Sequence, residues 1–316
     1  MNIGIICIRK RWNNAPSFLI EGLKEGIFLL KEKNFTFKDT KFTFCPFTIH
    51  NPEKIYISPE SVKHFDCIII PFWISKLLFE INLKQIKDMG IKVYSYTGIS
   101  PYQTPYFKID FPNILQDQLK DHEWQNYLAI DKFFVVHKTF PQEVEIGCGQ
   151  TERYYSLDKK ENILLDFCKK NWDEFIWEDF NSSWKGNNLI QLGEYPFRIK
   201  NSGIFTRDFV HFRRMCKLYS STRIFISMNE SFGYPIIENK FAGNIVLVHE
   251  KAQLPSFHLK SNYIYYWNKD NLMDIIKTIA NPLDIRKDFI NTYQNQYDWS
   301  KTIENIIDEV RRNNNL

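Results

Sequence analysis

Arg223 to Val248, RIFISMNESFGYPIIENKFAGNIVLV, reads as a strand, a loop, a helix and a second strand. Arg223 to Met228 and Ile245 to Val248 are short runs rich in β-branched and aromatic residues, the composition of buried strands. Between them there is room for a short helix. Pro235 suits its first turn, where a missing N–H is no loss, and Gly243 suits the position just past its end, where the backbone turns left-handed. In such a unit the loop from Glu230 to Tyr234 leaves the carboxyl edge of a parallel sheet against a helix N-terminus, whose unpaired N–H groups and dipole attract anions. Gly233 lets the backbone approach a ligand closely, and Glu238, further along the helix, can accept hydrogen bonds from hydroxyls at the same mouth. Phosphate together with hydroxyls points to a nucleotide or a nucleotide sugar. Taken singly, Glu230 reads equally as a helix cap and Glu238 as an exposed helix carboxylate, since acids near a helix N-terminus are stabilising in any case.

Glu230-Ser-Phe-Gly-Tyr-Pro-Ile-Ile-Glu238, followed by Ala242-Gly243 and a valine-rich strand, resembles the donor-site motif of GT-B glycosyltransferases. It is most similar to the retaining nucleotide-sugar group, in which two glutamates separated by seven residues flank the donor. The resemblance implies roles for individual residues. Glu230 would lie by the transferred sugar as the catalytic candidate, Glu238 would hold the nucleotide ribose, and the loop of Ser231, Phe232, Gly233 and Tyr234 would meet the phosphates. A weaker similarity covers Val144 to Gly149, Thr151 to Tyr155 and Leu157 to Leu165, which look like the interdomain crossing and first strand of a GT-B second domain. Tyr297 to Val310 looks like the terminal helix of that family. The recognisable parts cover most of the second half of the chain and little of the first.

The chain of 316 residues, 44% of them hydrophobic and 16% aromatic, can bury a sizeable core and is long enough for two domains. Strands alternate with amphipathic helices, the pattern of parallel sheets covered on both faces. In the first half we read strands at Ile3 to Ile8, Phe65 to Phe72, Ile91 to Tyr96 and Lys132 to His137, the last closing the domain. Helices are read at Pro16 to Glu32 and Ile81 to Met89, and a β-rich stretch at Phe35 to Phe44. The second half restarts with strands at Ile163 to Phe167 and Leu189 to Leu192. Gly147 and Gly149 interrupt the pattern, so the expected division is residues 1–148, residues 149–297 and a final helix over residues 298–316. The resemblance implies that the first is an acceptor-side Rossmann-like domain, that the second is a nucleotide-sugar-binding Rossmann-like domain, and that the terminal helix packs back on the first. The expected fold is α/β, two doubly wound domains facing a cleft.

A net charge of +4 from 41 basic and 37 acidic residues gives no basis for nucleic-acid binding. The six cysteines are scattered without paired spacing, as reduced core thiols are, so a cytoplasmic compartment is expected. No segment approaches the roughly 20 apolar residues of a membrane span, and the N-terminus opens as a strand and not as a signal peptide, which leaves at most peripheral membrane contact. The seven histidines lack the short paired spacing of a zinc helix, and no Asp-x-Asp triplet, G-x-G-x-x-G or P-loop is present. No metal and no cofactor beyond the nucleotide-sugar co-substrate is expected.

Two basic clusters admit two readings each. Arg9, Lys10 and Arg11 follow the first strand where a doubly wound domain forms its ligand crevice; they are either a solvated turn or a contact for an acidic acceptor, a phosphate or a lipid headgroup. Lys169 and Lys170 follow the Ile163 to Phe167 strand and either begin a solvated helix or neutralise a diphosphate. Arg198 and Lys200 form a weaker pair of the same kind. The chain departs from the resemblance in lacking a glycine-rich loop after its first strand and a histidine near Tyr96 to Ser100. His122 and His137 are the nearest alternatives and read as structural residues, so no general base is assigned. A retaining transfer works without one, because in that family the departing phosphate takes the acceptor proton.

The function implied is transfer of a sugar from a nucleotide-sugar donor to a hydroxyl acceptor such as a glycan or a lipid-linked sugar, with retention. The departures keep alternatives open: a catalytically inactive GT-B-like nucleotide-binding protein, an inverting GT-B enzyme, or a sugar-nucleotide epimerase of the same fold.

Overall fold

The computed structural model describes residues 1–9, 14–33, 37, 39–48, 56–71, 81–98, 119–136, 138, 141–150, 155, 162–165, 178–180, 182–185, 189–192, 202–206, 212–227, 234–252, 264–279, 285–293 and 298–314. The chain divides into two compact units, Met1–Gly149 with Asn295–Leu316, and Gln150–Gln294.

The first unit carries β1 (Asn2–Arg9), α1 (Asn14–Glu32), β2 (Lys41–Thr48), α2 (Pro59–Val62), β3 (Cys67–Pro71), α3 (Leu83–Asp88), β4 (Lys92–Gly98), α4 (Asp121–Leu128), β5 (Lys132–Val135) and β6 (Glu143–Glu145). Its strands run β2-β1-β3-β4-β5-β6, every neighbouring pair parallel. Ile3, Ile5 and Ile6 of β1 and Ile68, Ile69 and Ile70 of β3 are buried, as the continuous apolar runs require of strands covered on both faces. Each such side chain contributes roughly 1.5–3 kcal/mol of burial. The sequence reading closes this sheet at Lys132 to His137, but β6 extends it, pairing Phe133 with Glu143 and Val135 with Glu145. The β-rich stretch read at Phe35 to Phe44 is displaced: the strand begins at Lys41, just after Asp39, whose φ of 64° marks a turn, and runs through Pro46 at the sheet edge, where proline is tolerated.

The second unit carries β7 (Asn162–Leu165), β8 (Leu189–Leu192), β9 (Ser202–Thr206), α5 (Phe212–Ser221), β10 (Thr222–Ser227), α6 (Tyr234–Phe241), β11 (Ile245–His249), β12 (Ile264–Trp267), α7 (Leu272–Thr278) and α8 (Ile285–Tyr293). The order is β12-β11-β10-β7-β8-β9, again wholly parallel. Both sheets are thus doubly wound, and the expected α/β class holds.

The chain then returns to the first unit as α9 (Trp299–Asn313), which packs on α1. Asp298 caps this helix by accepting from the Ser300 N–H at 2.8 Å. Trp299 sinks into a seat of glycines: a Cβ built on Gly22 would stand 1.9 Å from its ring, and one on Gly26 would stand 2.4 Å from its carbonyl oxygen. In the same unit Asn305 donates to the Ile146 carbonyl at 3.1 Å and the Tyr96 hydroxyl to that of Gly147 at 3.0 Å. Residues 146–149 are therefore fastened from both α9 and β4. Among the described residues no helix is long and apolar enough to cross a membrane.

Candidate functional site

The order of the second sheet reverses between β7 and β10, which lie side by side with Leu165 opposite Ile226. β7 leads outward to β8 and β9, β10 to β11 and β12 on the other side. At such a switch point the loops leaving the carboxyl edge part, and a crevice opens between them. The chain leaving β7 carries Lys169 and Lys170, and the chain leaving β10 carries Glu230, Ser231, Phe232 and Gly233. These residues lie outside the described ones, as do Lys10, Arg11, Arg198, Lys200 and His137, but the strand ends they grow from are neighbours. Arg9 is the last residue of β1, beside the corresponding reversal between β1 and β3 in the first sheet. His122 is on the exposed side of α4.

Tyr234 opens α6, with Pro235 second, and Gly243 at φ +77° follows its end. The Asn244 N–H bonds the Asn239 carbonyl and the Gly243 N–H that of Lys240, the pair of bonds that closes a helix through a left-handed glycine. The punctuation read from Pro235 and Gly243 is the punctuation the helix uses.

Glu238 lies on α6 and is only 8% exposed, so it is not the exposed helix carboxylate of the simpler reading. Burying a carboxylate is costly unless donors meet it. One donor is the hydroxyl of Tyr219 on α5, 2.8 Å from Glu238 Oε2. The meeting follows from topology. α5 joins β9 to β10 and α6 joins β10 to β11, two crossovers stepping in the same direction, so right-handed connections put both helices on one face. Side chains lean toward the N-terminus of their helix, and both N-termini stand at the carboxyl edge. The Tyr219 ring and the Glu238 carboxylate therefore lean toward the same edge. Behind them, Asn244 Nδ2 donates to the Tyr219 carbonyl at 3.1 Å and to Asn239 Oδ1 at 2.7 Å, and Asn239 Nδ2 donates to the Pro235 carbonyl at 2.8 Å.

Sequence reasoning overlooked Tyr219. The signal was a tyrosine on the buried side of a helix, beside Cys216 and Leu218, just ahead of the strand that carries the motif.

The carboxyl edge of this sheet holds another buried polar contact of the unit. His249, the last residue of β11, has Nε2 3.0 Å from Asp179 Oδ2, and its Nδ1 accepts from the Lys251 N–H at 3.3 Å. With Nδ1 accepting, Nε2 carries the proton and donates to Asp179. Trp267 packs edge-on against His249, and Phe180 stacks on Trp184, which places Trp184 and Trp267 in a core cluster. Toward the far end of α6, Lys240 is buried, and burial lowers its ammonium pKa to about 8, with Asp288 of α8 acting in the opposite sense. Among the described residues no three His, Cys, Asp or Glu side chains gather as a ligand set for a metal.

No family model matches the sequence, and no curated protein matches it. Solved structures do. A glycosyltransferase from Rickettsia africae is 12% identical, with 98% of each chain covered and a TM-score of 0.57. Sucrose-phosphate synthase from Thermosynechococcus elongatus is 12% identical, with 99% of each chain covered and a TM-score of 0.58. UDP-GlcNAc 2-epimerase from Methanocaldococcus jannaschii is 10% identical, covering 97% of this chain and 99% of its own, with a TM-score of 0.56. At such identities the likeness shows the fold, two parallel-sheet α/β units of the GT-B class.

Proposed function

We propose that the protein is a glycosyltransferase that moves a sugar from a nucleotide-sugar donor to the hydroxyl of a glycan, a lipid-linked sugar or another acceptor, with retention and without a metal. The observation that carries this reading is Glu238: the second glutamate of the motif is a buried, hydrogen-bonded carboxylate on the helix that follows β10, at the reversal of strand order. In this reading Glu238 binds the ribose, Glu230 lies by the transferred sugar, and Ser231 to Tyr234, with Lys169 and Lys170, meet the diphosphate. The donor belongs to residues 149–297. The acceptor belongs to residues 1–148, with Arg9, Lys10 and Arg11 as its candidate contacts, and residues 298–316 serve as the terminal helix. The bond from the anomeric carbon to the phosphate oxygen breaks, the acceptor oxygen forms the new bond, and its proton leaves on the departing diphosphate. The protein acts in the cytoplasm.

The test is calorimetric titration with UDP, GDP and ADP and their sugars. Binding of one of them in the micromolar range, weakened about tenfold or more in Glu238→Ala, is the expected result. A protein that binds none of them, or a variant with unchanged affinity, would refute the assignment.

The likeness to an epimerase supports a second reading, in which the same site holds a nucleotide sugar and inverts one of its centres. Chromatography of a bound nucleotide sugar after incubation without acceptor separates the two, since only an epimerase converts it to its epimer.

A further inference from the structure

We propose that Tyr219 is the positioning residue for Glu238: its hydroxyl fixes the carboxylate in the orientation that receives the ribose hydroxyls, and so sets the preference of the site for ribonucleotides over their deoxy analogues. This rests on the assignment of Glu238 to the ribose. The structure supplies three arguments.

The first is the nature of the donor. Tyr219 is 2% exposed and its hydroxyl meets Glu238 at 2.8 Å, so the contact is shielded from competing water. A neutral phenol holds the carboxylate without cancelling its charge, and an anionic carboxylate is a stronger acceptor for a hydroxyl than a neutral one. A lysine or arginine there would pair with the charge and attract the phosphates into the ribose position. Lys240, two positions further along α6, does not face Glu238, because residues two apart on a helix point to different sides.

The second is order. The Tyr219 hydroxyl holds the carboxylate through Oε2. What it removes is rotation: the long glutamate side chain reaches its position already oriented, and a ligand then loses less in ordering it.

The third is that Tyr219 is itself fixed. Its carbonyl accepts from Asn244 Nδ2, which also ties Asn239, which in turn ties Pro235 at the start of α6. The ring that orients Glu238 and the helix that presents Glu238 belong to one hydrogen-bonded network. A displacement of α5 relative to α6 would have to break it.

Tyr219→Phe keeps the ring and deletes only the donor. Calorimetry is run with whichever of UDP, GDP and ADP the protein binds, and with the 2′-deoxy and 3′-deoxy forms of that nucleotide. The expected result is that the wild type prefers the ribonucleotide about tenfold or more over at least one deoxy form. In Y219F that preference falls to about twofold while affinity for the deoxy form stays within about twofold of wild type. Glu238→Gln should lose the same preference, and the double variant should lose no more than either single one, since the two side chains act through one contact. If Y219F does not fold, Tyr219→Met takes its place, its flexible side chain filling the ring's space.

A preference that survives in Y219F overturns the positioning role and leaves the nucleotide site standing. Equal weakening of ribo and deoxy forms also overturns it, because that is the signature of a ring needed only for packing. A wild type that binds no nucleoside diphosphate overturns both this role and the functional assignment beneath it.

Discussion

The ring of Trp299 fills the space that a Cβ on Gly149 would need, 2.2 Å from its Cγ. The same ring faces Gly22 of α1, so two glycines far apart in sequence make room for one indole, while Gly26, one turn further along α1, makes room for the Trp299 carbonyl. Gly22→Ala is expected to destabilise the protein by about 1–3 kcal/mol or more, because the atoms it meets belong to a rigid buried ring. Trp299→Ala should cost about 3–5 kcal/mol through the cavity it leaves. Urea denaturation measures both, and the Gly22→Ala penalty should shrink in the Trp299→Ala background, because the clash then has no partner.

Asp179 joins residues 178–185 to the end of β11 through a buried imidazole. Asp179→Ala takes the acceptor from His249 Nε2 and is expected to lower stability by roughly 1–3 kcal/mol. Asp179→Asn keeps an acceptor oxygen in place and should recover much of that loss. Equal denaturation midpoints for the two variants would mean that the carboxylate charge, and not the hydrogen bond, matters at this position.

Lys240 carries a dependence on pH whose sign is fixed by its burial. Its folded pKa of about 8 lies below the ordinary 10.5, so folding with the ammonium charged is penalised. The penalty is complete below about 8 and is relieved as pH rises toward 10.5, where the unfolded chain also loses the proton. Lys240→Met removes the titrating group. The stability of the variant relative to wild type should therefore be greatest at neutral pH and decline steadily between pH 8 and 10, read from urea midpoints across that range. A difference that does not vary with pH would contradict a buried, depressed lysine.

Cys7, Cys67, Cys148 and Cys216 are buried, and Cys45 is half-buried, all as free thiols. Burial raises the pKa of Cys67 and of Cys45, which keeps both as the unreactive thiol. With an aromatic disulfide reagent at pH 7.5, Cys45 is expected to react slowly and the other four only on unfolding. Rapid labelling of Cys67 in the native protein, located by peptide mass mapping, would show that the start of β3, an interior strand of the first sheet, opens readily.

Much of the fold could be read from single residues. The apolar runs of β1, β3, β10 and β11 needed no partner to be recognised, and Pro235 and Gly243 marked the ends of α6 by their own backbone chemistry. β6 escaped because a strand reading Glu-Val-Glu has one apolar residue, and what makes it a strand is its neighbour β5. The site divides in the same way. Glu238 stood out through its motif, whereas Tyr219 is a donor to it only because two crossovers place α5 and α6 on one face. The contact of Asp179 with His249, 70 residues apart, depends on sheet order in the same manner. Local chemistry is written locally, and long-range partnership is not.

The return of α9 to the first unit has a consequence for the order of events in synthesis. Residues 1–149 alone leave the glycine face of α1 uncovered and residues 146–149 without the Asn305 contact, while residues 150–294 form a unit whose contacts are all available once they have been made. On the ribosome the half begun first is therefore the half finished last. Until residues 295–316 emerge, the glycine seat of Trp299 stays uncovered although the second unit is already complete, and it is during that interval that a chaperone would find the most to hold.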